Sequence, residues 1–477
     1  MKEKRKLTTP MAIFGFFAPL VVILTLISMG VSIMLGLTAA ICVEGLFGMF
    51  LGYSWSELEE YAMKGIGRVN QTVIVMILIG MLIGVWISAG SVQTMLYYGV
   101  NLINPKLFLP VAFIVCIITS IVTGTSWGTA GTMGIALIGI AQGLGVPVEM
   151  AAGAIISGAL VGDKLSPLSD TTLLASATSG VKLFDHILSL LYVTIPVSLV
   201  SIAVYTFLGL RYGGGQADMS AVKVLSDSLK GSCNLGVLML VPLLFVLVLS
   251  ALKQPTIPVF AGGLLLGCVW AIVFQGAELT QVISAAINGF VSNTGNADVD
   301  KLLSRGGALG MAETIFLCIG AGMFSGIFER TGVLSKLMES LNKVVKSAGA
   351  LVLSVAATGT ALMFGGAGQS CTLSLPAIAF HDAFEDMDIN PSVLSRTLEC
   401  TGTVLGSIVP WDASAILYTG LFGVSVMQYL PFNLVAVLSP VFAVLTAYIG
   451  FGVLHYSEQV RFTMKLRNYK EEHRTNR

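Results

Sequence analysis

The sequence predicts an all-α polytopic membrane fold. About 10–12 transmembrane segments are expected, in two inverted repeats with re-entrant hairpins and broken helices. Three observations carry this. The 477-residue chain is 55% hydrophobic and 11% charged, with mean hydropathy +0.87, where a soluble chain carries about 25% charged residues. The apolar run over residues 148–180 is cut in its middle by charges, hydroxyls and a proline. A similar interruption recurs, in the same order relative to its neighbours, in the second half.

Composition narrows the function classes. Lys plus Arg (26) balance Asp plus Glu (26), so no net field favours nucleic acid. The seven cysteines are scattered through apolar runs without paired spacing and read as small core residues. The four histidines form no metal-ligand spacing. An intramembrane enzyme would need a nucleophile with its base or a metal cluster, and neither is spaced for it. No G-x-x-x-x-G-K-[ST] occurs, which argues against an ATP-driven pump.

The basic start MKEKRKLTTP precedes about forty apolar residues, too long for a secretory h-region, and predicts an uncleaved anchor over 1–33 that begins in the cytoplasm. The first repeat is expected over 34–210. Residues 53–68 read as an amphipathic connector, and 69–89 as a span containing Gly80-x-x-x-Gly84, a close-packing pattern. Residues 107–145 are apolar except at Thr123-Gly124-Thr125-Ser126-Trp127-Gly128-Thr129, which predicts a re-entrant hairpin with a glycine/hydroxyl tip.

The broken helix comes next, at about 148–180. Apolar sequence runs to Val161, and Gly162-Asp163-Lys164-Leu165-Ser166-Pro167-Leu168-Ser169-Asp170-Thr171-Thr172 then interrupts it. Pro167 removes a backbone donor and disfavours helix at Ser166. Each ionised residue at mid-membrane costs about 2.5–3.5 kcal/mol on insertion scales. Three such residues together point to a site in a broken helix, buried in protein or lining a wet cavity.

Residues 211–255 are expected to hold a linker and a connecting helix, the latter a span at 235–251 that inverts the second half relative to the first. The second repeat is expected over 256–454, with Glu313 near the start of a span. Its hairpin (about 348–381) is cut at Thr358-Gly359-Thr360 and again at Gly365 to Ser370, which includes Gln369. Its broken helix (about 393–424) is interrupted by Gly406 to Ser414, including Pro410, Trp411 and Asp412. Thr123-Gly124-Thr125 is paired with Thr358-Gly359-Thr360, and Gly162…Pro167…Asp170 with Gly406…Pro410…Asp412. Glu399 and Arg396, one turn apart, read as a local ion pair. Residues 455–477 read as a cytoplasmic tail, so both termini are expected in the cytoplasm.

Inverted repeats with broken helices meeting at mid-membrane are the signature of secondary transporters. Hydroxyls at Thr125, Ser126, Thr129, Thr360, Ser370 and Ser414, with the Gln369 amide, supply neutral oxygens of the kind hard cations prefer. Asp163, Asp170 and Asp412 are the carboxylates placed to hold Na⁺ or a proton in competition, which yields antiport from one site. Lys164 either holds Asp163 ionised or is the group released when sodium binds. Trp127 and Trp411 flank the two interruptions, as gates or as packing.

Residues 162–172, with the Thr-Gly-Thr-Ser-Trp-Gly-Thr tip, closely resemble the NhaC family of bacterial sodium/proton antiporters. The resemblance covers nearly the whole chain and is most specific over 123–134 and 157–180. It implies exchange of external H⁺ for internal Na⁺, with Li⁺ as a second cation, by alternating access in a bacterial cytoplasmic (inner) membrane. Ion-binding positions carry over to Asp163, Ser166, Ser169, Asp170 and Thr171. Members similar to the family exchange organic acids (malate for lactate) with cation coupling, or amino acids, and this stands as the alternative. The sequence departs from the pattern at Asp412, where an uncharged polar residue is expected. The implied partners are Na⁺, H⁺, a small organic acid in the alternative reading, the bilayer and a second copy in a homodimer. No cofactor is expected beyond the transported ions, and no nucleic acid.

Overall fold

The structure, a computed structural model, describes residues 5–212, 219–252, 254–333, 336 and 347–460. Most of them are helical, and the only β pairing among them is a single bridge between Ile389 and His455. Among the described residues, seven helices are long and apolar enough to cross a bilayer, or nine if two pairs bent by 86° each count as one span. This is the polytopic all-α fold the composition predicts.

The chain opens with α1 (Thr9–Ser28) and α2 (Ile33–Phe50), followed by α3 (Trp55–Ser88). Here the structure corrects the sequence reading: the expected connector over 53–68 is the first half of one 34-residue helix. Ser54 and Glu57 form a capping box that starts it, satisfying two orphan donors reciprocally. No proline occurs within it to break it. Its glycines serve packing, since a Cβ on Gly65 would strike the Gly322 carbonyl and one on Gly84 the Ala285 carbonyl. Gly80 accepts a 2.6 Å backbone bond from Gly307. The Gly80/Gly84 pattern therefore marks close approach, as its spacing predicts.

After α4 (Ser91–Leu102), helix α5 (Phe108–Thr123) runs to a tip at Gly124, whose φ of +71° and contact with Leu168 leave no room for a side chain. The return arm is α6 (Ser126–Thr129), a π-helical turn (Ala130–Gly134) and α7 (Ile135–Gly143). Helix α8 (Val148–Leu165) packs on α5 through Gly158 and Gly162, with the Ser120 hydroxyl donating to Ala159 O at 2.7 Å. The chain then breaks at 166–169 and resumes as α9 (Asp170–Thr178), before α10 (Leu183–Tyr212).

The expected linker contains α11 (Met219–Ser232). The expected span at 235–251 is a 3-10 turn (Val237–Leu240) continued by α12 (Val241–Ala251), bent by 86° from the end of α11. Next come α13 (Thr256–Gln275), α14 (Leu279–Asn288), α15 (Ala297–Leu303) and α16 (Ala312–Arg330). Most of the basic segment 329–346 and the tail from 461 lie outside the described residues.

The second hairpin pairs α17 (Ala348–Phe364) with α18 (Gly368–Asp386) around a tip at 365–367. Thr358-Gly359-Thr360 therefore lies inside α17, more than a turn before the tip, and is not the counterpart of Thr123-Gly124-Thr125. Helix α19 (Pro391–Leu398) passes into a π turn (Glu399–Thr403) and a 3-10 turn (Leu405–Ser407). The chain breaks at 408–412 and resumes as α20 (Ala413–Phe422), then α21 (Val426–Tyr429) and α22 (Leu434–Tyr448). Hairpin, broken helix and closing helix thus occur twice in the same order.

Candidate ion-binding site

The first break is held open by its own hydroxyls. Pro167 cannot donate, and Ser166 adopts an extended backbone (φ −82°, ψ 127°). The Ser166 hydroxyl donates to Ile121 O at 2.7 Å and accepts from Leu168 N at 3.2 Å. Ser166 therefore fastens the break to the first hairpin and is not turned to the neighbouring carboxylate.

Asp163, in the last turn of α8, is buried and meets the hairpin tip. Ser126 donates to Asp163 Oδ2 through both its backbone N–H (3.1 Å) and its hydroxyl (2.7 Å). Ser169 also faces this carboxylate. Its hydroxyl lies 3.0 Å from that of Thr171, which donates to Glu399 Oε1 at 3.0 Å. A line of hydroxyls thus joins the broken helix of the first half to the π turn of the second. Thr172 ties the arms of the break together by donating to Asp163 O at 3.3 Å.

Glu399 escapes the sequence reading. The expected ion pair with Arg396 is not formed: Arg396 donates to Gly452 O at 2.9 Å and lies 5.6 Å from the Tyr192 ring centroid. Glu399 is instead fully buried, with Oε2 lacking a partner among the described residues, and lies within electrostatic reach of both Asp163 and Lys164. Lys164 is also fully buried. It turns away from Asp163, donating to Ser439 Oγ at 3.2 Å, and faces the π turn at Cys400 and Glu399.

Two other expected carboxylates stand apart. Asp170 is exposed at the start of α9, although its charge still reaches Asp163. Asp412 caps α20, accepting from Ser414 N at 2.8 Å. No group of three Asp, Glu, His or Cys side chains among the described residues could hold a metal ion. Asp163, Asp170 and Asp412 thus do not gather into one carboxylate cluster, since Asp170 is exposed and Asp412 caps α20.

Asp412 borders a cavity of about 270 Å³, lined also by Arg68, Trp127, Gln369, Ser370 and Trp411. Ser414 Oγ accepts from Gln369 Nε2 at 3.1 Å and from Trp127 Nε1 at 3.2 Å. Trp127 thus bridges from beside Ser126 to the second break. Trp411 donates to Phe364 O at 2.9 Å and anchors the second tip. A Cβ on Gly406 would crowd Asp412 Oδ1 and the Gln369 amide, so glycine leaves space there. Arg68 pairs with Glu329 at the cavity wall.

The remaining expected ligands have local partners. Thr125 caps α6 by accepting from Gly128 N at 3.3 Å, and Thr129 shares a 3.2 Å contact with the Thr123 hydroxyl. Thr360 donates back to Ala356 O at 2.7 Å and faces an apolar groove with Phe16 and Leu353, away from both breaks. The Tyr418 hydroxyl, buried and without a partner among the described residues, lies within reach of Ser126, Asp163 and Asp412.

Fold and site together define a polytopic helical membrane protein whose buried charges gather at breaks in its helices, the arrangement of secondary transporters. The family model for the Na⁺/H⁺ antiporter family matches residues 3–187 and 158–451, and the chain belongs to that family. It is 38% identical over 438 residues to a malate-2H(+)/Na(+)-lactate antiporter of Bacillus subtilis, covering 92% of this chain and 93% of the relative. It is 34% identical to the Na(+)/H(+) antiporter NhaC of Alkalihalophilus pseudofirmus, covering 87% and 90%. It is 35% identical to the arginine/ornithine antiporter ArcD of Halobacterium salinarum, covering 91% of each.

Proposed function

We propose that this protein exchanges Na⁺ for H⁺ across a bacterial cytoplasmic membrane, with Asp163 as the residue for which the two cations compete. The observation that carries the reading is the Asp163 site. A buried carboxylate meets a hairpin tip, with the hydroxyls of Ser126 and Ser169 as neutral oxygen donors beside it. The charge count suits one cation. When all are ionised, the carboxylates of Asp163 and Glu399 and the ammonium of Lys164 leave one negative charge, which one Na⁺ or one H⁺ neutralises. Leaving that charge uncompensated in a low-dielectric core costs several kcal/mol, so the site favours a bound cation. The repeats over 34–210 and 256–454 are taken as inverted halves moving against one another around the two breaks.

A second reading is favoured by the cavity at Asp412. Its volume of about 270 Å³, with Arg68, Gln369 and Ser370 on its walls, suits a small organic solute beside the cation. The malate/lactate and arginine/ornithine relatives make organic acids and amino acids the solutes to try.

The test is transport by purified protein in proteoliposomes carrying an internal pH dye. Addition of Na⁺ or Li⁺ is expected to drive proton movement without any organic solute. Inert Na⁺ and Li⁺, with proton movement on adding malate, lactate or arginine, would replace the first reading by the second.

A further inference from the structure

Asp163 and Lys164 are consecutive on a helix, so their side chains leave it about 100° apart. Asp163 goes to the hairpin tip, whereas Lys164 goes to Ser439 on α22 and faces Glu399. Both Lys164 and Glu399 are fully buried, and among the described residues their hydrogen-bond partners are neutral hydroxyls, Ser439 for Lys164 and Thr171 for Glu399. Helix α22 packs against both α8 and the π turn carrying Glu399, so these two charges share one compartment.

The other elements packed on that turn offer Lys164 no substitute counter-charge. Helices α17 and α22 contain no charged residue. Helix α18 meets the turn at Thr372 and Leu373, more than two turns before its charged end. Asp170 on α9 is exposed, and Arg396 is turned to Gly452. Among the described residues, Asp163 is the carboxylate within electrostatic reach of Glu399.

We propose that Glu399 is a positioning residue that holds the Lys164 ammonium away from Asp163 and so keeps the cation position open. This rests on the sodium reading of Asp163. The lysine stem is flexible, and one neutral bond to Ser439 does not fix an ammonium that a buried carboxylate attracts. Without Glu399 the ammonium swings to Asp163 and occupies the place of Na⁺. Glu399 thereby sets cation affinity without touching the cation.

Charge arithmetic makes the test a double-mutant cycle. Glu399→Gln leaves one carboxylate and one ammonium, whose mutual neutralisation expels Na⁺. Glu399→Gln with Lys164→Gln leaves Asp163 alone, with the original net charge. Radiolabelled Na⁺ uptake by proteoliposomes should show KM for Na⁺ raised at least about tenfold in Glu399→Gln, with kcat changed less. In the double variant KM should return to within about threefold of the wild-type value.

An unchanged KM in Glu399→Gln, or a double variant no better than that single one, overturns the proposal. Should Glu399→Gln fail to fold, recovery of folded, transporting protein on adding Lys164→Gln supports it, and failure to recover overturns it. Asp163→Asn separates the underlying reading: persistent Na⁺ uptake in that variant refutes sodium at Asp163, whatever the Glu399 cycle shows.

Discussion

The Thr171 hydroxyl donates to Glu399 Oε1 at 3.0 Å, across 228 residues of sequence, and links the first broken helix to the π turn preceding the second break. Thr171→Val removes the donor at nearly constant volume and leaves the buried carboxylate unsatisfied. A hydrogen bond to a charged group contributes about 1.5–3 kcal/mol. Thermal unfolding in detergent is expected to show a lower Tm for Thr171→Val. An unchanged Tm would mean that the bond holds nothing together.

Ser126 is the neutral ligand predicted to matter most, because it meets Asp163 twice. Ser126→Ala keeps the backbone donor and loses the hydroxyl. KM for Na⁺ is expected to rise about tenfold while the protein remains folded, the cost of one charge-assisted contact. Thr360→Ala, whose hydroxyl is spent on Ala356 O, is the control expected to transport like the wild type. Equal effects in the two variants would dissolve the distinction the structure draws.

Much of this site was legible in the sequence. Both breaks, the two hairpins and the placement of Asp163, Ser126 and Gln369 come from proline, glycine and charge interrupting apolar runs, a pattern that lipid tolerates only when buried. The residues that were not legible have physical reasons. Asp170 sits only seven residues beyond Asp163, but the extended turn at Ser166 and Pro167 reorients the chain between them and leaves Asp170 exposed. Glu399 was hidden by Arg396, since a three-residue spacing places two side chains on one helical face. The π turn that begins at Glu399 alters that face, and Arg396 finds its partners on Gly452 and Tyr192 instead. An acidic residue inside an otherwise apolar run was the available signal. Thr358-Gly359-Thr360 misled through likeness of letters, because a Thr-Gly-Thr string bonded back within a helix carries no break.

Asp412 discriminates between a cation and an organic solute as the occupant of the second space. Asn can still accept from Ser414 N, so Asp412→Asn should fold normally. KM for Na⁺ is expected to stay within about threefold of wild type, because the Asp412 carboxylate caps α20 and borders a cavity that Asp163 does not line. A loss of Na⁺ uptake as deep as that of Asp163→Asn would place both carboxylates in one cation site.

Helix α3 depends on glycine where it crosses its neighbours. Gly84→Ala drives a methyl group into the Ala285 carbonyl, and overpacking of this kind costs about 1–3 kcal/mol. The yield of folded protein and Tm in detergent are expected to fall. Gly45→Ala, on α2 with no atom near the added methyl, is expected to leave Tm unchanged or raise it. The reverse order would contradict the packing described for α3.

In the proposed exchange, Na⁺ and H⁺ compete for Asp163. Its most direct measurement is Na⁺-driven proton movement in proteoliposomes containing wild type or Asp163→Asn, each verified as monodisperse in detergent. Asparagine preserves size and can still accept from Ser126, so a folded variant without the charge is the expected product. The wild type should move protons on addition of Na⁺, and Asp163→Asn should show no movement above protein-free liposomes. Proton movement at the wild-type rate in Asp163→Asn would contradict the account.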